Sequence, residues 1–297
     1  MEKNEEPKIA LRSIGSLFSD AWALYKERWS VLVEIVLLPT LIVLLGAVII
    51  ALDLGSLSRV IGELVVFVGW VTFVYSVLPI VYSIHHGAGV DASYKATIGW
   101  FWPYVWLVIL EILAVMGGFV MLIIPGIWLS IALSFAVYTF VIEHRRGIDA
   151  LRASKAYVKG YWWAILGRGL LLAIIYIVPM LIVQIPAALL GGRILTGIVA
   201  AVIVLFFVPF SAIYHYIIFK NLRELKPALA EEQTKEGTGF IKASAIVGLV
   251  TPIVLIFLCI VIAGAGIFYM MRHADFRSMP SPGYGPGYGA QIPPSRY

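Results

Sequence analysis

The chain has 297 residues, of which 61% are hydrophobic and 13% charged, about half the charged share of a soluble domain. Its mean hydropathy of +0.94 matches most of this surface to lipid, and spans of roughly 20 residues leave on the order of 150 residues for everything else. That excludes a full-sized soluble catalytic domain. The net charge of +5 is spread through short segments between apolar runs, a pattern that orients membrane helices rather than binding nucleic acid.

Residues 1–29 mix Glu2, Glu5, Glu6, Asp20 and Glu27 with five Lys or Arg. A cleavable signal peptide has a basic start followed directly by an apolar stretch, so this N-terminus is expected to be retained. Within 9–29, Ile14, Leu17, Phe18, Ala21, Trp22, Tyr25 and Trp29 recur at three- and four-residue steps, opposite Arg12, Ser16, Ser19, Asp20 and Glu27. This predicts an amphipathic interfacial helix ending in a tryptophan where the first span begins.

Apolar runs then predict spans over 30–52, 60–84, 100–123, 126–142, 163–190, 194–219 and 243–270, with a cytoplasmic loop at 221–242. Ile123, Ile124, Pro125 and Gly126 alone separate the third and fourth spans, so Pro125-Gly126 is predicted to turn a tight hairpin. Gly191, Gly192 and Arg193 do the same between the fifth and sixth. A second amphipathic helix is predicted over 145–162, with Ile148, Leu151, Val158 and Trp162 on one face and Arg145, Asp149, Arg152, Lys155 and Lys159 on the other. Both amphipathic helices are expected along the membrane surface. Residues 271–297 are too rich in Pro and Gly to pack and are predicted to be disordered.

Short echoes point to a repeat. Gly89-Val90-Asp91-Ala92 returns as Gly147-Ile148-Asp149-Ala150, each Asp suiting an N-cap, and Pro79 with His85 returns as Pro209 with His215. Three units of surface helix plus hairpin follow, with the seventh span as an addition. The class is therefore all-α: a polytopic transmembrane bundle of about seven spans with interfacial helices. Lys and Arg number sixteen on one side and five on the other, with Arg168 inside a span. The expected location is the cytoplasmic (inner) membrane, and that bias orients the chain with the N-terminus in the cytoplasm and the C-terminus outside.

Ionisable residues at membrane depth are the first functional candidates, because a desolvated charge needs a partner, a proton or water. Glu34 and Arg168 each follow a tryptophan, Trp29 and Trp163, by five residues. They are predicted to lie at similar depths, about 7–8 Å inside the interface, and to form an inter-helix ion pair. Glu111, eleven residues after Trp100, is the deepest carboxylate; it is protonated or hydrogen-bonded in the bundle, or else it couples a transported substrate. Glu63 and Gln184 sit nearer the outer face. Prolines 39, 79, 179, 186, 209 and 252 should kink spans. Glycines with three residues between them occur only in the tail, which gives no signal for a particular oligomer.

Chemical signatures are missing. There is no His-Glu-x-x-His, Gly-x-Ser-x-Gly or phosphate-binding glycine loop, and the histidines 85, 86, 144, 215 and 273 lie mostly at span ends. Cys259 is alone in an apolar run. No catalytic residue, metal site or cofactor is expected, and the partners expected are membrane lipids and a membrane or cytoplasmic protein.

Leu122-Ile-Ile-Pro-Gly-Ile-Trp-Leu-Ser, followed by Val141-Ile-Glu-His, Ala150-Leu-Arg-Ala-Ser-Lys-Ala-Tyr-Val-Lys-Gly and Trp162, resembles the glycerophosphoryl diester phosphodiesterase membrane domain and related polytopic families. The resemblance covers 100–220 and, more loosely, Leu17–Trp29. It implies a polytopic membrane region without the soluble phosphodiesterase barrel, for which this chain has no room, and it carries over no catalytic residue. The expected function is a non-enzymatic membrane module or scaffold. The alternatives are a small-solute transporter working through Glu111 and an interfacial lipid enzyme using Glu143, His144, Asp149 and Arg152.

Overall fold

A computed structural model describes residues 11–231 and 238–273, with the backbone alone for 190–194, 230–231, 257–258 and 264–273. The tail predicted to be disordered lies outside the described residues from 274 onward. Every described element is helical: α1 Ile14–Ala51, α2 Ser56–Tyr75, α3 Val77–His86, α4 Val90–Thr97, a 3-10 turn at Ile98–Trp100, α5 Phe101–Met121, α6 Ile123–Leu133, α7 Ala136–Ile142, α8 Ile148–Val158, α9 Trp162–Leu225, α10 Ala228–Glu231 and α11 Thr238–His273. Among the described residues, seven segments are long and apolar enough to cross a membrane. The chain is thus an all-α, multi-pass membrane protein.

The predicted hairpins are all present. In the first, α1 and α2 touch through glycine: a Cβ on Gly46 would lie 2.8 Å from the Gly62 carbonyl oxygen, and one on Gly69 would lie 2.8 Å from the Val43 nitrogen. Small residues let the two backbones meet where lipid supplies no hydrophobic drive for helix association. In the third, helical hydrogen bonding runs through α9, yet the Gln184 amide donates to the Thr196 carbonyl at 3.2 Å and the Tyr176 and Phe207 rings stand 4.4 Å apart. Residues so far apart along a straight helix cannot meet. The chain therefore folds back near residue 191, where Gly191-Gly192-Arg193 was expected to turn it.

At the second hairpin the turn is displaced from its expected place. Leu122 alone is extended, while Pro125 and Gly126 lie in the first turns of α6. Proline is tolerated there because the first helical N–H groups have no intrahelical acceptor. Gly126 serves packing instead: a Cβ on Gly118 would come within 3.0 Å of its Cα.

Three further expectations are corrected. No break separates the interfacial helix from the first span: α1 is continuous for 38 residues, about 57 Å and nearly twice the hydrocarbon thickness. Only part of its predicted apolar face is covered, with Leu17, Ala21 and Tyr25 buried while Trp22 and Trp29 remain half exposed. The second amphipathic helix, α8, turns its apolar side to its own chain: Ala150, Leu151, Ala153, Tyr157 and Val158 are buried. Finally, Asp91 and Asp149 are not caps. Gly89 and Gly147 hold the cap positions without side-chain bonds, and each aspartate sits in the first turn, where the helix dipole favours negative charge.

Two tyrosines bond carbonyls beside the span prolines. Pro39 inside α1 cannot bond the Ile35 carbonyl, and the Tyr94 hydroxyl donates to that oxygen at 3.0 Å. Ahead of Pro79 the ladder breaks at Ser76, and there the Val74 carbonyl accepts from the Tyr104 hydroxyl at 3.1 Å. A carbonyl freed in a span needs a partner from the bundle. Tyr94→Phe should therefore destabilise the protein by about 1–2 kcal/mol in thermal unfolding. In a Pro39→Ala background, which restores an N–H to Ile35, the same substitution should cost less.

The chain divides within α11 into two compact units, 1–250 and 251–297. In the second, described residues from Ile253 to Ile262 are largely exposed and apolar.

Candidate functional site

The most concentrated polar structure gathers where α7 ends. After Ile142 the chain reverses through Glu143–Gly147, with positive φ at His144 and Gly147, and enters α8. The Glu143 side chain is only 3% exposed. It receives the Arg145 Nε at 2.9 Å and the Tyr157 hydroxyl at 2.5 Å, and the Arg223 Nε lies 3.6 Å away. One carboxylate thus joins the loop, α8 and the last turns of α9. Burial, and then the Glu143 hydrogen bond, push the Tyr157 hydroxyl well above the ordinary tyrosine range, so it remains a donor.

Next to this knot, the Lys226 Nζ donates to the carbonyls of Ala156, Tyr157 and Lys159 at 2.7, 2.9 and 2.6 Å. These are orphan acceptors at the C-terminal end of α8, where a cation is favoured by the dipole. Burial and the nearby Lys159 hold the ammonium down to about 8. The other end of α8 is tied by hydroxyls. Ser154 donates to the Ala132 carbonyl at 2.9 Å and accepts the Phe135 N–H at 3.1 Å, filling the break between α6 and α7, and Thr139 donates to the Ala150 carbonyl at 3.0 Å. The Ala-Leu-x-x-Ser-x-x-x-x-Lys-Gly stretch therefore has a packing explanation: Ala150 and Leu151 are buried, Ser154 mends a break, and Gly160 takes a positive φ of 87°.

The predicted Glu34–Arg168 pair does not form. Arg168 is buried at 7% exposure, with its guanidinium donating to the Ala164 carbonyl at 2.8 Å and the Arg12 carbonyl at 2.6 Å. Glu34 lies on the exposed face of α1, between buried Leu32 and Ile35. Because α1 does not restart at Trp29, Glu34 stands about 30 Å along the helix from the level of Arg168. Depth counted from each tryptophan was misleading for that reason.

Glu111 is half-buried on α5. Two cavities are described, and neither includes it. One of about 480 Å³ lies between α2 and α5, lined by side chains such as Phe67, Trp70, Trp102 and Val108. The other, of about 240 Å³, lies among α5, α8 and α11, with Lys242 as its one charged lining residue. The residues considered for an interfacial enzyme do not converge either. Glu143 is held as above, Asp149 pairs with Arg152 at 3.1 Å, and the exposed His144 ring lies 5.7 Å from Trp100. Among the described residues, no group of three His, Cys, Asp or Glu side chains is placed to hold a metal.

Sequence reasoning placed Glu143 only as a member of a surface group and passed over Tyr157, Arg223 and Lys226. The signal available was weak: Arg223 and Lys226 lie sixty and more residues beyond Tyr157, and no local periodicity relates them. No family model, curated protein or solved structure matches the chain.

Proposed function

We propose that this chain is a non-enzymatic integral membrane module that organises the membrane surface for lipids or a protein partner. The observation that carries the reading is the use of the charged side chains around α8 and in α9. Glu143, Arg145, Arg223, Lys226 and Arg168 each bind another part of the same chain, an arrangement that stiffens a scaffold. The apolar lining of the cavity between α2 and α5 supports the same reading. We place the module in the cytoplasmic membrane, and the Lys and Arg bias orients its N-terminus to the cytoplasm and its C-terminus outside. We further propose kinship with the glycerophosphoryl diester phosphodiesterase membrane domain, limited to the membrane region.

Affinity capture from native membranes, with quantitative identification of proteins and lipids, tests the reading. One protein or lipid class recovered in stoichiometric amount is the expected result. Solute uptake by reconstituted vesicles that is lost in Glu111→Gln would overturn it in favour of a transporter.

A further inference from the structure

Beside the Glu143 knot, three elements bring basic side chains together on the surface. His85 and His86 end α3, with ring centroids 4.7 Å apart. The His85 Nδ1 lies 3.2 Å from the Tyr216 hydroxyl of α9, and one and two turns further along α9 are Lys220 and Arg223. His144 comes from the loop before α8. Each group acting electrostatically on the His85 ring, namely His86, Arg223, His144 and Lys220, is a cation or an imidazole. The carboxylate that meets Arg223 is Glu143, which is buried and already bound by Arg145 and Tyr157. Lys220 and Arg223 supply the outward-facing positive charge, and His85, His86 and His144 lie exposed beside them as imidazole N–H donors.

The patch also has an aromatic floor. Tyr82 stacks on His86 at 4.2 Å and meets Trp100 edge-on at 6.1 Å, and the Arg146 guanidinium lies over the Trp100 ring at 5.3 Å. Tryptophan and tyrosine flanked by cations are the side chains of the membrane–water boundary, where an apolar ring meets acyl chains and a basic group meets phosphate. Trp100 stands at the start of α5, where exposed Trp102 and Trp106 continue along the apolar helix.

We propose that His85, His86, His144, Lys220 and Arg223 form a binding site for the phosphate of an anionic lipid headgroup, with Trp100 seated at the level of the glycerol and upper acyl chain. The site would be present whether the spans scaffold a partner or carry a solute.

Native mass spectrometry of the detergent-solubilised full chain, titrated with phosphatidylglycerol, phosphatidylcholine or inorganic phosphate, tests it. Phosphatidylglycerol should bind more tightly than phosphatidylcholine. Lys220→Gln alone should weaken phosphatidylglycerol about fivefold, and His85→Gln with His144→Gln should weaken it further. All three side chains are exposed, so unchanged thermal unfolding is expected, and Lys159→Gln, an exposed lysine outside the patch, should leave binding as it was. Equal binding of the two lipids, or phosphatidylglycerol binding indifferent to these substitutions, overturns the site. Inorganic phosphate binding that depends on the same residues while the two lipids bind alike shows free phosphate to be the ligand and overturns the headgroup assignment.

Discussion

Glu143→Ala should lower stability by about 3 kcal/mol or more, because it leaves charged partners in a site built around a carboxylate. Arg145 is 13% exposed and Arg223 42% exposed at its side chain, so the loss falls mainly on the Arg145 and Tyr157 side of the knot. Tyr157→Phe removes one donor to the carboxylate and keeps the ring that meets Phe219 at 5.3 Å; about 1.5–3 kcal/mol is expected, as for hydrogen bonds to charged groups. The double substitution should cost less than the two single losses added together. Thermal unfolding in detergent, followed by circular dichroism, measures all three. A fully stable Glu143→Ala protein would mean that the loop and α9 are held together by apolar packing alone.

The second large effect is expected at a crossing of backbones. Gly117 in α5 and Gly248 in α11 meet so closely that a Cβ on Gly117 would fall on the Ser244 carbonyl oxygen, and one on Gly248 on the Leu113 carbonyl oxygen. Backbone cannot yield as a flexible side chain can, so Gly117→Ala requires the first turns of α11 to move away. A loss of about 2–3 kcal/mol follows. Gly248→Ala should behave alike, and since either change opens the same crossing, the pair should be less than additive. Gly167 has nothing within 4 Å of an added Cβ; there, Gly167→Ala should be neutral or stabilising by up to about 1 kcal/mol. Equal stability of the Gly117 and Gly167 variants would show that α11 does not need this contact.

These expectations also show which parts of the structure local sequence can carry. Each span was legible because twenty apolar residues in succession have one stable solvent, and the reversal near residue 191 was legible because glycines interrupt such a run. The partner of a face was not legible. The 145–162 pattern marks Leu151 and Val158 as apolar, but protein and lipid are equally good covers for leucine, and only the fold shows that they are buried within the chain itself. The glycine crossing escaped for a related reason, since Gly117 and Gly248 lie on different helices and no spacing links them. The Glu34–Arg168 pairing failed because tryptophan marks an interface only where a helix begins, and α1 begins fifteen residues before Trp29, at Ile14. Lys226 and Glu143 required distances between remote segments.

One small tie has a bearing on how the protein is made. Arg12 is bonded on both sides of its peptide unit: its N–H donates to Asn221 Oδ1 at 3.0 Å, and its carbonyl receives Arg168 at 2.6 Å, over sequence separations of 209 and 156. A ribosome adding about 5–20 residues per second reaches residue 221 on the order of 10–40 s after residue 12. During that interval the leading turns of α1 have no anchor, although the span that follows them is ready to insert. The entry of α1 is thus an early event in biosynthesis and its fastening a late one, completed when both arms of the third hairpin have emerged.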